Sequence, residues 1–188
     1  MTVQQKFKNF ILCGAVLSAL VMFDGPKIGQ AKAETALDNA TSAMQKGDIN
    51  AAEQYLTDAA GAGSAVAMRN LAKLHYLQRV EKPNLELAKD LLLKAASLGL
   101  SEANVDLGLL YERGIGRPAD IVLATTFYKK ASNAGVVEGQ NFYAKAVLSN
   151  GSATDQIQSG LEALNEASAA GYTPAVSAVG DLFRSGTF

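Results

Sequence analysis

Apolar residues return every three or four positions along this chain, in short runs separated by glycine-containing or charged turns. Ala36, Ala40 and Ala43 form one such stripe, and Ala52, Tyr55, Leu56 and Ala59 the next. Ala67, Leu71, Leu74 and His75 follow, then Leu85, Ala88, Leu92 and Ala95. Spacings of three and four place each set on one side of a helix. No stretch alternates with a period of two for long enough to read as a strand. The pattern predicts an all-α chain.

The helices come in pairs, and the pairs repeat. Gly63, Gly99, Gly135 and Gly171 stand thirty-six residues apart, as do Ala59, Ala95, Ala131 and Ala167. Ala72, Gly108, Ala144 and Gly180 keep the same step. A fixed period of this length is the mark of a helical solenoid. Its units run over about 34–63, 64–99, 100–135 and 136–171, and one further helix, Pro174 to Arg184 within 172–188, covers the end of the stack. Asp48, Asn84 and Asp120 each precede a second helix, where a side-chain oxygen accepts from the free N–H groups of the first turn. The glycines of the first series stand where those second helices stop, and only glycine enters the left-handed conformation cheaply. Ala or Gly at 72, 108, 144 and 180 leaves room where two helices cross.

Residues 1–33 break the period. Lys6 and Lys8 precede an uninterrupted apolar run, Phe10 to Phe23, and the small-residue pattern Ala31-Lys32-Ala33 follows. That order reads as a secretory signal peptide cleaved after Ala33, leaving a repeat domain over 34–188. The apolar run is too short for a comfortable membrane span, so no stable membrane insertion is expected after cleavage. The expected location is periplasmic or secreted. Cys13, the one thiol, leaves with the signal, so packing alone must hold the exported chain.

Charge and chemistry narrow the function further. The net charge is −1, and after removal of 1–33, with its four Lys and one Asp, the remainder carries −4. No basic field large enough for nucleic acid is present. One histidine and no mature cysteine leave almost no ligands for a transition metal, and no cofactor site is expected. His75, on the apolar stripe, reads as a packing residue. Gly114-Ile115-Gly116-Arg117-Pro118-Ala119 has the outline of a dinucleotide fingerprint, but a helix rather than a strand precedes it, so it reads as a turn. Asn39-Ala40-Thr41 and Asn150-Gly151-Ser152 match glycosylation sequons by pattern alone.

Ala103, Leu107-Gly108, Tyr111, Gly114-x-Gly116, Asp120, Ala124, Tyr128, Lys130-Ala131 and Gly135 resemble the Sel-one-like repeats of the tetratricopeptide superfamily. The resemblance extends over essentially all of 34–188, strongest in the third unit. It implies a right-handed α-solenoid of about four helix-turn-helix repeats plus a capping helix, a non-enzymatic scaffold, adaptor or regulator. First helices would line a concave groove that holds a protein or peptide, with an envelope protein as the expected partner. Residues one or two positions around from the buried stripe then face that groove. In the second unit these are Arg69, Lys73 and Tyr76, and in the third Val105, Leu109, Glu112 and Arg113. Asn141, Lys145 and Leu148 follow in the fourth, then Ser177, Asp181 and Arg184. Cations and an amide suit a carboxylate or an acidic segment, and apolar members anchor it. The alternatives are a cell-wall or β-lactam-directed enzyme or binding protein, though relatives of that kind carry paired cysteines, and a self-associating structural array.

Overall fold

The structure, a computed structural model, describes residues 29–149 and 154–185, without the side chains of Phe183 and Ser185. The basic and apolar segment assigned to export, up to Phe23, lies outside the described residues, as does the Asn150 sequon. The described residues form nine helices and no strand. They divide into two compact units at Ser64.

The smaller unit is one hairpin. Helix α1 spans 29–45 and α2 spans Ile49–Gly61. Ala40, Ala52, Leu56 and Ala59 are fully buried, so small side chains let the two backbones approach closely. The Asp48 carboxylate caps α2 by accepting from the Ala51 N–H at 3.0 Å. Residue 29 is already helical, ahead of the unit boundary expected at 34, and Ala33 is buried in α1.

The larger unit stacks three hairpins and a single helix: α3 (Ala65–Tyr76) with α4 (Leu85–Ser97), α5 (Glu102–Arg113) with α6 (Ile121–Asn133), α7 (Val137–Ser149) with α8 (Thr154–Ala169), then α9 (Thr173–Ser185). Each helix packs on the next along the chain, and α5 also touches α7. This is all-α solenoid stacking in sequential pairs. The caps stand where the spacing placed them: Asn84 accepts from the Leu87 N–H at 2.9 Å and Asp120 from the Leu123 N–H at 2.9 Å. The stop glycines all take positive φ, from 76° at Gly135 to 94° at Gly63. Gly114 closes α5 at φ 63° and Gly116 lies at φ 74°, so the fingerprint-like segment is an inter-helix turn.

Core positions follow the repeat. Leu71, Leu92, Leu107, Tyr128, Tyr143 and Leu164 are all buried, and each fully buried leucine is worth about 1.5–3 kcal/mol. One aromatic stack lies inside the third hairpin, Tyr111 on Phe127 at 5.3 Å between centroids, and a second joins it to the fourth, Tyr128 on Phe142 at 5.1 Å. The Arg117 guanidinium covers the Tyr111 ring at 4.5 Å and clamps the turn onto it. His75 is buried, and its Nδ1 accepts from the Asn84 N–H at 3.3 Å. One repeat later Tyr111 takes its place, and its carbonyl accepts from the Asp120 N–H at 2.9 Å.

Candidate functional site

The first helices α3, α5 and α7 carry most of the thirteen residues expected to face a groove, and the structure sorts them. Asp106 decides the outcome. It lies on α5 with only 3% of its surface exposed, and a buried carboxylate needs partners. Arg69 of α3 donates its Nε–H to Oδ2 in an ion pair, and Tyr76 of α3 donates its hydroxyl to Oδ1 at 2.8 Å. Burial pushes the Tyr76 phenol well above its ordinary value, and the adjacent Asp106 charge adds to that. Three side chains thus fasten one first helix to the next.

Several expectations are corrected by this packing. Tyr76, Val105 and Asn141 do not point into open solvent; they are buried between helices. Arg69, half-buried, is committed to Asp106. Glu112 accepts the Tyr128 hydroxyl across the third hairpin, and burial together with that carboxylate holds the Tyr128 phenol far above its ordinary value. Asp181 and Arg184 pair with each other along α9 at 2.6 Å. Leu148 is half-buried against the Ala144, Leu164 and Ala175 cluster. Arg69, Tyr76 and Glu112 share one reason, since polar groups drawn between close-packed helices satisfy one another before any partner arrives. Val105 and Leu148 instead pack against apolar neighbours, and Asp181 and Arg184 pair at the surface.

What remains accessible is narrower. Lys73 and Leu109 are half-buried, and Lys145, Arg113 and Ser177 are exposed. Lys73, Leu109 and Lys145 hold the same offset in successive first helices. Among the described residues none of Lys73, Arg113 and Lys145 has an ion-pair partner. With Asp106 neutralised by Arg69, this face presents unpaired positive charge around a leucine. It can hold an acidic or carboxylate-bearing segment by charge-assisted hydrogen bonds.

Asp106 was missed by the spacing argument, although a signal was present. An acid sits in the otherwise apolar run Val105-Asp106-Leu107-Gly108, one period and one residue after Arg69. A buried-stripe acid with an arginine at that distance is the sequence trace of an inter-repeat ion pair. Asn141, one period after Val105, has its Oδ1 buried without a hydrogen-bond partner.

Among the described residues no helix is long and apolar enough to cross a membrane. No cluster of three His, Cys, Asp or Glu side chains could hold a metal ion there. Residues 65–100 and 101–136 match the Sel1 repeat. No curated protein matches the chain at a significant level. Among solved structures, a Sel1 repeat protein from Oxalobacter formigenes superposes with a TM-score of 0.72 at 22% identity, over 82% of this chain and 63% of that one. A protective antigen of uropathogenic Escherichia coli with an SLR fold gives 0.69 at 19% identity, over 74% and 30%. An immunity protein of Pseudomonas aeruginosa gives 0.58 at 22% identity, over 81% and 58%. The chain thus spans less than two thirds of the length of each of these structures. Two Sel1 repeats thus lie in tandem inside a stack of hairpins whose fold is similar to that of solved Sel1 repeat proteins.

Proposed function

We propose that this chain is an exported, non-enzymatic adaptor or regulator that holds an acidic segment of a protein partner against the first helices of its larger unit. The observation that carries the reading is the unpaired column Lys73, Leu109 and Lys145, set in register by the Asp106 node beside it. Rigid helices present these side chains in advance, which lowers the ordering cost of binding. That one structural relative is an immunity protein and another a protective antigen supports a protein partner here. Repeats of this family serve as scaffolds, which supports a role without catalysis. The A-x-A pattern supports export, with cleavage after Ala33 trimming 29–33 from α1.

The test is capture by the tagged chain from envelope extract, with Lys73→Glu and Lys145→Glu introduced together. The expected result is loss of the captured protein with unchanged helicity and melting. Capture that survives both charge reversals removes this face from consideration. Sequencing the N-terminus of the secreted form checks the export arm separately.

A further inference from the structure

The second helices leave a cavity that the first-helix face does not use. Helix α8 has sixteen residues where α4 and α6 have thirteen, and its extra turn adds length at the N-terminal end. Gln156, in that added turn, stands across from α6, and Tyr143 and Val147 of α7 line the space between them. The cavity holds about 540 Å³, within the range of small-molecule sites.

Its lining is one-sided in charge. Lys129 reaches over the Tyr143 ring at 6.0 Å and forms no ion pair among the described residues. The Tyr143 hydroxyl and the Gln156 amide have no hydrogen-bond partner among the described residues either, although Tyr143 is otherwise buried. No carboxylate lines the cavity. Three hydrogen-bond donors therefore share one space with nothing inside the described fold to accept from them. The other wall is apolar, built from Ile121, Val122 and Val147, and Val122 is 81% exposed at α6. Water satisfies the donors but gains nothing from the apolar wall.

The geometry points to a binding site for a small aliphatic carboxylate. Lys129 would form the charged contact, Tyr143 and Gln156 would donate to the carboxylate oxygens, and Val122 with Ile121 would cover the hydrocarbon part. Donors from an ammonium, a phenol and an amide suit a planar carboxylate with an apolar tail better than inorganic phosphate, which has no use for the valines. Two sources carry this chemistry: a free short-chain acid, and the carboxyl end of a peptide finishing in an aliphatic residue. The site lies on α6, α7 and α8 and is independent of the Lys73–Lys145 column.

The experiment is an NMR titration of the full chain with hexanoate and with N-acetyl-alanyl-leucine, using hexanamide, the peptide's C-terminal amide and inorganic phosphate as controls. The expected result is saturable shifts of the Thr126, Lys129, Tyr143 and Gln156 amides with at least one acid, and at least tenfold weaker binding of both amides and phosphate. Lys129→Met, at an exposed position that leaves the fold intact, weakens the acid at least tenfold, while the Lys73→Glu, Lys145→Glu chain binds it as before. Tighter binding of the peptide acid assigns the site to a chain end, and tighter binding of hexanoate to a free acid. Absence of saturable shifts with either acid, equal binding of the amides or phosphate, or an unaffected Lys129→Met chain overturns the assignment.

Discussion

In the hairpin α5/α6 the helices cross at Gly108, and the Tyr128 ring lies so close that an added Cβ would come within 2.3 Å of it. In α7/α8 the residues one period on are Ala144 and Leu164, both buried in the same cluster. One period earlier stand Ala72 and Leu92, again both buried. The crossing residue loses its methyl where its partner grows from leucine to tyrosine. The repeat thus holds the summed volume of the crossing pair, not the identity of either member, because a close-packed interior tolerates volume-conserving exchanges best. The two hairpins differ in their polar links as well. The third is tied to the second by the Asp106 carboxylate, which holds Arg69 and Tyr76, and is closed on itself by Glu112, which accepts from Tyr128. The fourth is closed in the same way, Glu166 accepting from Gln140 at 2.6 Å, but it carries a buried amide oxygen without a partner at Asn141 and a cavity beside its second helix.

The largest expected effect strikes the polar tie. Asp106→Ala leaves Arg69 and Tyr76 without their acceptor, and removing one member of a buried pair costs about 3–5 kcal/mol, at the low end here because Arg69 is partly solvated. Chemical denaturation measures it; a loss below about 1 kcal/mol means that the node contributes little to the stack.

Next comes the crossing itself. Gly108→Ala forces a methyl against the Tyr128 ring, which is held by Phe142 and Glu112, and is expected to cost about 1–3 kcal/mol. Adding Tyr128→Leu recreates the alanine–leucine pair of the flanking hairpins and should recover more than half of that loss. A strictly additive double mutant contradicts the volume argument. By contrast, Gly160→Ala in the fourth hairpin brings its methyl to an ordinary 3.4 Å from Val147, so helix propensity decides and the change is neutral to about 1 kcal/mol stabilising.

The smallest effect lies on the pH axis. Tyr76 and Tyr128 keep their protons in the folded chain above the ordinary tyrosine value of about 10, while the unfolded chain gives them up there. The folded state then binds more protons, so stability is complete below that pH and falls as pH rises beyond it. Melting temperature against pH is the measurement. The decline should flatten when Tyr76 and Tyr128 are replaced by Phe, and an unchanged slope means that these two phenols do not govern it.

The sequence alone determined the helix periodicity, the thirty-six-residue step, the caps at Asp48, Asn84 and Asp120 and the glycines that end each second helix. All of these are local: a cap or a left-handed glycine acts within one turn, and a repeat shows itself as spacing. Only the tertiary structure decided which polar residues of the first helices stay available. Rotation about a helix axis places Lys73 and Tyr76 close together on paper, yet Tyr76 finds a buried acceptor thirty residues away in the chain and Lys73 does not. The cavity beside α8 depends in the same way on how three helices end against one another. Pairing across repeats depends on distances in space, which spacing along one chain does not specify.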